Sequence, residues 1–316
     1  RVKADLSITH SDISAAAVVC GEESELNIIN PEYIKEYHAL LPKRRENMHK
    51  GDCGRVFVLA GSRGMTGAAA LCATAALRSG SGLITVGCPD SQQAVLAVKL
   101  MEVMTLPLPE ISGKISGDAI ETVKQQSLIS DVCAVGPGLG RSDGIWKCIE
   151  AVLAANKPVL IDADGLNSIA GHINVLESSH AEIVMTPHPG EMSRLCGLPI
   201  AEIEANREKI AVEFAKKYNV TLLLKGKHTV VASPRGEVHI NPTGNSGMAT
   251  GGMGDVLSGI IASFIGQGLS GFNAAVLGAF LHGFAGDIAA KKIGKFGMTA
   301  SDVISNLPEA IEALNY

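Results

Sequence analysis

The chain lacks closely spaced cysteines, which argues against the commonest kind of structural zinc site. Its seven cysteines are scattered, at positions 20, 53, 72, 88, 133, 148 and 196. Because structural zinc sites use C-x-x-C or similar pairs, this distribution favours reduced, buried thiols in a cytoplasmic protein. Residues 1–10 also lack the apolar core of a signal peptide, which agrees with a cytoplasmic location.

Positive charge is scarce as well. The chain carries 27 Lys and Arg residues against 32 Asp and Glu residues, which gives a net charge of −5. Nucleic acids and anionic membranes attract proteins through clustered basic side chains. We therefore expect neither a nucleic acid nor a membrane as a partner.

An unbroken hydrophobic run of membrane-spanning length is also missing. Residues 256–286 contain no Asp, Glu, Lys or Arg, but a spanning helix needs about 20 consecutive apolar residues. Gln267, Asn273 and three nearby glycines interrupt this stretch. The sequence therefore predicts two buried helices joined by a turn.

What the chain does contain is a regular alternation of short apolar runs and helical patterns. The apolar runs are residues 56–60, 83–87, 132–136, 159–162, 183–186 and 222–225. The helical patterns include residues 67–79, 143–155 and 202–218. Such an alternation predicts an α/β fold with a mostly parallel sheet and helices on both faces.

Three segments depart from this alternation. Residues 228–232 and 237–240 flank a Ser-Pro-Arg-Gly turn, which predicts an antiparallel hairpin on one edge of the sheet. Residues 299–314 begin with Thr299 and Asp302, a capping pattern that predicts a closing helix. Residues 1–45 differ in composition, and we interpret them as a linker or the remnant of another domain, with residues 46–316 as the main domain.

The most informative segment is residues 250–255, Thr-Gly-Gly-Met-Gly-Asp, directly before the apolar run 256–261. Glycines allow successive N–H groups to point at one spot, and a helix start adds unpaired donors and its positive dipole end. A bound phosphate would repel the carboxylate of Asp255, so an acid at this position suggests a chemical role. Asp255 could accept the proton of a hydroxyl group that attacks the phosphoryl group. The segment predicts a phosphoryl-transfer centre. The alternative is a glycine-rich helix start in which Asp255 only compensates the helix dipole.

Two other glycine-rich loops follow predicted strands, at residues 60–68 and 136–140. Neither contains G-x-G-x-x-G, and G-x-x-x-x-G-K-[ST] is absent from the whole sequence, so Rossmann and P-loop sites are poorly supported. Binding loops lie at the carboxyl edge of such sheets. These loops either allow a ligand to approach the backbone or serve tight packing between strand and helix.

Residues 186–191, Thr-Pro-His-Pro-Gly-Glu, form a third unusual loop. The two prolines restrict the backbone around His188, which suits a residue that positions a ligand. Glu191 either orients water bound to Mg²⁺ near a nucleotide or only caps the following helix. We assign no other residue to a metal.

Two further strand ends carry charged residues. Asp162, Asp164 and Asn167 follow one strand, and their alternative role is a hydrogen-bonded helix start. Lys225 ends another strand, directly before the predicted hairpin. It either flanks a nucleotide or is a solvated lysine.

Together, the Gly-Gly-Met-Gly-Asp segment, the edge hairpin and the α/β alternation resemble the ribokinase-like superfamily. A narrower set of motifs, in the same order from about His49 onward, resembles the ADP- or ATP-dependent NAD(P)H-hydrate dehydratases. These motifs are residues 60–62, 136–140, 162–164, 186–191, 245–247 and 251–255.

The resemblance implies a kinase fold used for dehydration. In this family a nucleotide phosphorylates the hydroxyl group of a hydrated nicotinamide ring, and phosphate then leaves to restore NADH or NADPH. The resemblance implies ADP or ATP as co-substrate, Mg²⁺ as cofactor, NAD(P)H hydrate as substrate and a homo-oligomer, a tetramer. It also implies that the chain corresponds to the C-terminal half of a bifunctional repair enzyme, because residues 2–9 faintly resemble the tail of its epimerase half.

The resemblance also assigns site residues. Asp255 corresponds to the catalytic acid/base and contacts the substrate. The nucleotide-binding residues are Lys225, Gly226, Lys227, His228, Thr229, Asn245, Ser246, Gly247, Met248, Ala249, Thr250, Gly251, Gly252, Met253 and Gly254. The other substrate-binding residues are Ala68, Gly140, His188, Pro189, Gly190, Glu191, Met192, Ser193 and Arg194.

Two alternative functions share parts of this pattern. A small-molecule kinase of the same superfamily, acting on a hydroxymethyl group or a sugar, would also use Asp255. The loop at residues 188–191 argues against it, as does Gly251-Gly252, where sugar kinases usually carry Gly-Ala-Gly-Asp. A nucleotide sensor without catalysis would have no use for Asp255.

Overall fold

The computed structural model describes residues 31–315, so the predicted similarity of residues 2–9 to an epimerase tail lies outside the described residues. The chain divides into two compact units, and each is described by itself. Of the described residues, 31–41 and 312–315 belong to the smaller unit. Within it, helix α1 (Pro31–His38) is joined to the chain end by a hydrogen bond from His38 Nδ1 to Leu314 O, at 2.7 Å.

The larger unit, residues 42–311, contains the sheet. Its strands, as far as the described residues extend, are β1 (Arg55–Leu59), β2 (Leu83–Pro89), β3 (Met104–Leu108), β4 (Glu110–Ile111), β5 (Lys114–Ile115), β6 (Val132–Val135), β7 (Val159–Ile161), β8 (Ile183–Met185), β9 (Thr221–Leu224), β10 (Val230–Ala232) and β11 (Val238–Ile240).

Helices connect these strands. They are α2 (Thr66–Arg78), α3 (Asp90–Lys99), α4 (Ile120–Ile129), α5 (Asp143–Ala154), α6 (Ala163–Ala170), α7 (Val175–Ser178), α8 (Pro189–Cys196), α9 (Ile200–Ala205), α10 (Arg207–Tyr218), α11 (Met253–Gly266), α12 (Gly271–Ile293) and α13 (Ala300–Glu312).

Within residues 31–315, nine strands form one sheet in the order β11-β10-β9-β8-β7-β6-β1-β2-β3. The strands from β9 to β3 pair in parallel, and β10 is antiparallel to both β9 and β11. The predicted α/β architecture and its edge hairpin are therefore confirmed. Strands β4 and β5 form a separate antiparallel pair.

The central strands are buried along their whole length, as in β6, β7, β8 and β9. A parallel sheet covered by helices on both faces requires such continuous apolar runs. This explains why the sequence located these strands to within two residues. The edge strand β3 was not predicted, because Pro107 interrupts its pattern; proline is tolerated at an edge, where a donor is not needed on the free side.

Two helix predictions require correction. The segment 202–218 is divided into α9 and α10 at Asn206, whose side-chain amide donates to Glu202 O at 3.2 Å and so competes with the helical pattern. The uncharged stretch does form two helices, but α12 extends to Ile293 and is long and apolar enough to cross a membrane. Because 78% of its apolar window is buried inside the protein, α12 has the character of a core helix.

The cysteines contribute to this core. Cys53, Cys72, Cys88, Cys133 and Cys148 are buried and free, and Cys196 is partly exposed. Burial raises the pKa of the Cys88 and Cys148 thiols to about 11 and that of Cys133 to about 12. These thiols are therefore protonated at neutral pH.

Helix α11 crosses α2 at very short distance. A Cβ atom added at Gly259 would lie 2.1 Å from Cys72 O and 2.9 Å from the Ala75 Cβ. Only glycine fits here, because both contacts come from a rigid helix. One turn beyond Gly259, the buried Ser263 hydroxyl pairs with Ser81 at 2.7 Å.

The crossing predicts an asymmetry between two glycines. Gly259→Ala should lower the free energy of unfolding by about 1–3 kcal/mol, because the added methyl group overpacks the helix contact. Gly67→Ala on α2 is the control, since a Cβ there meets nothing within 4 Å. Urea denaturation measures both variants, and equal stability of the two would contradict this account of the crossing.

Candidate active site

Loops that follow the parallel strands meet at the carboxyl edge of the sheet, beside the start of α11. Backbone hydrogen bonds join neighbouring loops: Gly61 N–H donates to Pro137 O at 2.9 Å, and Lys225 N–H donates to Pro187 O at 2.9 Å. Open α/β sheets bind ligands at this edge. The predicted motifs therefore lie together although they are far apart in the sequence.

The glycine-rich segment forms the predicted turn into α11. Gly252 has φ of 90°, in the left-handed region that glycine adopts without strain. The helical hydrogen-bond ladder starts at Val256, whose N–H donates to Gly252 O at 3.1 Å. The amides of Met253, Gly254 and Asp255 precede that ladder, so they are the donors that a helix start offers to an anion. We call residues 250–255 the anion turn.

Lys225 lies directly below the anion turn. A Cβ atom added at Gly254 would be 3.4 Å from Lys225 Nζ and 3.7 Å from Asp162 Oδ2. The missing side chain at Gly254 thus leaves space for an anion beside the ammonium group.

The ammonium group of Lys225 is not solvated, so that alternative is wrong. Nζ donates to Asp162 Oδ1 at 2.8 Å and lies 3.6 Å from Glu191 Oε2, and the side chain is only 19% exposed. Burial lowers the pKa of Lys225, but the charges of Asp162 and Glu191 outweigh burial and raise the pKa above its usual value. Lys225 therefore remains a cation at neutral pH.

The two aspartates after β7 have different roles. Asp162 is buried, and its carboxylate makes no cap hydrogen bond to α6, so the helix-start alternative is wrong for this residue. Its Oδ2 instead accepts a hydrogen bond from Ser258 Oγ on α11, at 2.8 Å. Asp164 Oδ2 accepts from Gly140 N–H at 2.8 Å and so fixes the loop after β6.

Asp255 lies in the first turn of α11 beside this cluster. Burial and the negative charge of Asp162 raise the pKa of Asp255 to about 7, while Lys225 opposes them and Asp164 and Glu191 add smaller increases. An acid that only compensated a helix dipole would have its pKa lowered. A carboxylate with a pKa near 7 is suited to accept a proton at neutral pH.

The loop around His188 is held by a capping box at the start of α8. His188 Nδ1 accepts from Gly190 N–H at 3.0 Å, and Glu191 Oε2 accepts from His188 N–H at 2.8 Å. The structure therefore supports the capping role for Glu191. The His188 side chain is 51% exposed, which leaves its ring accessible to a ligand.

The loops assigned to the hydrate are packed against one another and against this cluster. A Cβ atom added at Gly138 would be 3.0 Å from the Ala68 Cβ, and one added at Gly136 would be 1.8 Å from Asp162 O. The loops at residues 60–68 and 136–140 are therefore both tightly packed, as one of the two alternatives for them required. On α8, Arg194 Nε donates to Asn167 Oδ1 at 2.7 Å.

A cavity of about 630 Å³ opens beside the anion turn. Most of the residues assigned to the nucleotide line it: Lys225, Gly226, Lys227, His228, Thr229, Asn245, Ser246, Met248, Ala249, Met253 and Gly254. Its volume is typical of small-molecule sites. Gly247, Thr250, Gly251 and Gly252 do not line it.

The cavity also has walls that the sequence analysis missed, namely Asn241, Pro242, Thr243, Gly244, Leu257, Ala279, His282 and Gly283. Ala279, His282 and Gly283 lie on one face of α12 at helical spacing. His282 is the one titratable residue in the stretch 256–286, which is the only signal of this wall that the sequence carries. Burial lowers its pKa to about 4, and its Nε2 has no hydrogen-bond partner among the described residues.

The carboxylates of the site could hold a metal ion only together with a bound ligand that supplies further oxygen atoms. Among residues 31–315, no group of three His, Cys, Asp or Glu side chains is arranged to hold an ion. Mg²⁺ is commonly held by one or two carboxylates together with substrate phosphates and water. The donor set therefore suits Mg²⁺ that arrives with nucleotide phosphates.

The sequence of the chain is similar to those of known proteins. Residues 56–309 match the family model described as NAD(P)H-hydrate dehydratase. A bifunctional NAD(P)H-hydrate repair enzyme from Moorella thermoacetica is 47% identical over 276 residues, which cover 87% of this chain and 52% of that enzyme. The chain therefore spans about half the length of such relatives.

Solved structures give the same result. The ADP/ATP-dependent NAD(P)H-hydrate dehydratase from Bacillus subtilis, co-crystallised with ATP and Mg²⁺, has a TM-score of 0.78 at 28% identity and covers 89% of this chain and 97% of its own. A ribokinase-like superfamily protein from Enterococcus faecalis has a TM-score of 0.77 at 27% identity, covering 89% and 94%. The predicted ribokinase-like fold is confirmed.

The anion turn predicts an effect of substitution at Gly252. Gly252→Ala should weaken binding of ADP or ATP about tenfold, because the methyl group resists the left-handed backbone and would lie 2.6 Å from Leu71 Cδ1. Gly268→Ala is the matched control, since Gly268 also has positive φ (+99°) but open space around it. Calorimetric titration decides, and unchanged affinity in Gly252→Ala would place the phosphates elsewhere.

Proposed function

We propose, from the premise that the chain belongs to the NAD(P)H-hydrate dehydratase family, that it restores NADH or NADPH from their hydrates with ADP or ATP as co-substrate. The observation that carries the proposal is the position of Asp255, in the first turn of α11 at the anion turn, where burial and the charge of Asp162 raise its pKa to about 7. The preceding residue, Gly254, lines the cavity of about 630 Å³, and Asp162, Asp164 and Glu191, which follow β7 and lie on α6 and α8, are near enough to raise the pKa of Asp255. Membership of the family and the co-crystallised relative support the choice of substrates.

The first step is phosphoryl transfer. The hydroxyl oxygen of the hydrated ring attacks the terminal phosphorus of the nucleotide, and ionised Asp255 takes the hydroxyl proton. The new O–P bond forms as the bond to the bridging oxygen breaks, so that ADP leaves as AMP, or ATP as ADP. The Lys225 ammonium group and the amides of the anion turn stabilise the charge on the transferring group.

The second step is elimination. The ring C–O bond breaks and phosphate leaves with the electron pair. The neighbouring ring carbon then loses a proton to solvent, which restores the double bond. Phosphorylation makes this feasible because hydroxide is a poor leaving group and phosphate is a better one. Mg²⁺ that arrived with the nucleotide would neutralise part of the phosphate charge in the first step.

Three finer proposals accompany this function. We propose a homo-oligomer, a tetramer, as the family resemblance implies, and a cytoplasmic location, which the scattered cysteines and the lack of basic clusters support. Residues 1–45 are proposed to be a linker or a remnant of an epimerase domain, with residues 46–316 as the dehydratase domain. The bifunctional relatives support this division, because the matched 276 residues cover only 52% of the enzyme from Moorella thermoacetica.

The test of function is to incubate the protein with hydrated NADH and either ADP or ATP. Absorbance of the reduced nicotinamide should rise as free phosphate is released in equal amount. A stable phosphorylated product without NADH would replace the proposal by the small-molecule kinase. Nucleotide binding without turnover would indicate a sensor.

Asp255 has a predicted signature in the pH profile. Because the base must be ionised, kcat/KM should rise with pH through about 7 and level off above it. Asp255→Asn cannot accept the proton, so kcat should fall by about 10²–10⁴-fold while nucleotide affinity is retained. Steady-state rates and calorimetry test both expectations, and a wild-type kcat in the variant removes Asp255 from the mechanism.

Substitution of His188 should change the KM for the hydrate and leave the KM for the nucleotide unchanged. Loss of one uncharged hydrogen bond costs about 0.5–1.5 kcal/mol, so His188→Ala should raise the hydrate KM about two- to tenfold. The same variant loses a helix cap, and its melting temperature should fall.

The two effects can be separated with His188→Asn, because asparagine is a good N-cap but lacks the imidazole ring. It should recover the melting temperature while the hydrate KM stays high. His180→Ala, an exposed histidine at the opposite end of β8, controls for loss of a histidine. A variant that changes only the melt, or only the nucleotide KM, contradicts the assignment.

A further inference from the structure

Asp162 has no part in the reaction proposed above, yet it is among the most buried charged groups of the site. It follows β7 and is 1% exposed. Lys225 Nζ donates to one carboxylate oxygen and Ser258 Oγ donates to the other, both at 2.8 Å. These two partners follow β9 and lie on α11, respectively. The carboxylate therefore joins two strand ends and the helix that carries Asp255.

The helix contact of Asp162 lies next to the proposed base. Ser258 is three residues after Asp255, one helical turn along the same face. Gly254, which directly precedes Asp255, approaches the same carboxylate oxygen: a Cβ atom at Gly254 would be 3.7 Å from Asp162 Oδ2. The first two turns of α11 therefore rest on this carboxylate.

The backbone around Asp162 is strained. Ala163 has φ of 48°, in the left-handed region that disfavours residues with a Cβ atom. Such strain persists only where surrounding structure enforces it, and it concentrates at functional sites. Here the strain accompanies a close approach, because Gly136 lies against Asp162 O with no room for a side chain.

A stabilising role does not explain a buried ion pair at this position. Taking an ammonium and a carboxylate out of water costs free energy that their attraction barely recovers, and apolar replacements are often as stable. The pair is therefore weak evidence for stability. Its position beside Asp255 points to a role in the chemistry.

We propose that Asp162 is a positioning residue, which fixes Lys225 beneath the anion turn and holds a negative charge beside Asp255. This rests on the proposed function, in which Asp255 accepts a proton. The groups that face Asp255 are Asp162 after β7, Asp164 on α6, Glu191 on α8, Lys225 after β9 and the Cys72 thiol on α2. Of the charges among them, that of Asp162 has the largest effect.

The consequence for catalysis is a stronger base. A like charge nearby disfavours ionisation, so Asp255 binds a proton more tightly than an ordinary carboxylate does. At neutral pH a fraction of Asp255 remains ionised and able to accept the hydroxyl proton. Without Asp162, Asp255 would ionise more readily but would be a weaker base.

The test is Asp162→Asn, which keeps the shape of the carboxylate and two hydrogen-bonding atoms but removes the charge. The carboxyl carbon of Asp255, labelled with ¹³C and identified by its absence in Asp255→Asn, is titrated by NMR in the unliganded protein. Its midpoint should move about one pH unit lower in Asp162→Asn. The rising limb of kcat/KM for the hydrate should move in the same direction, and kcat above pH 8 should fall about tenfold.

Ser263→Ala is the matched control, because Ser263 is also a buried, hydrogen-bonded serine on α11, paired with Ser81 away from the cluster. Ser263→Ala should lower the melting temperature. It should leave unchanged both the NMR titration midpoint of Asp255 and the midpoint of the rising limb of kcat/KM. If Asp162→Asn does not fold, Asp162→Ser, smaller and uncharged, is measured in its place.

The outcomes separate the two proposals. If the wild-type protein fails to dehydrate the hydrate, the proposed function is wrong, but the NMR titration still tests Asp162. If the wild-type protein dehydrates and the Asp255 midpoint is the same with and without the Asp162 charge, the inference is overturned. Loss of stability without a shifted midpoint also overturns it, because that is the behaviour of a purely structural residue.

Discussion

The site depends on one buried cation. Lys225 follows β9, yet its ammonium group contacts a carboxylate after β7 and another on α8, and it lies beneath the turn that starts α11. Three carboxylates, those of Asp162, Glu191 and Asp255, surround this single positive charge. The surplus negative charge raises the proton affinity of Asp255, and the ammonium group still offers a counter-charge to a bound phosphate. In the proposed function, Lys225 therefore acts both on Asp255 and on the phosphate at the anion turn.

Close backbone contact makes this arrangement possible. Gly136, Gly252 and Gly259 stand where a Cβ atom would clash with a neighbouring strand end, side chain or helix. They allow the loops, α11 and α2 to approach until charged groups from four elements share one small volume. Close-packed interiors cannot adjust smoothly to added atoms. These uncharged glycines therefore fix the positions of the charged groups.

The sequence predicted the parts whose causes are local. Continuous apolar runs located the central strands, and the glycine-rich segment before α11 predicted the anion turn. Local patterns failed where a distant partner decides the outcome: Asp162 resembled a helix cap until Lys225 and Ser258, 63 and 96 residues away, engaged it. The wall formed by α12 was missed for the same reason, because only the folded chain brings His282 to the cavity. The edge strand β3 was not predicted because Pro107 interrupts its pattern. The segment 202–218 was predicted as one helix, but Asn206 divides it into two.

The buried thiols have a consequence for the conditions under which the protein can work. Oxidants and electrophiles attack thiolate, and Cys88, Cys133 and Cys148 hold their protons far above neutral pH. The pKa of the Cys72 thiol is raised by burial and by the nearby charges of Asp255 and Asp162. These four sulfur atoms offer little for oxidative stress to modify.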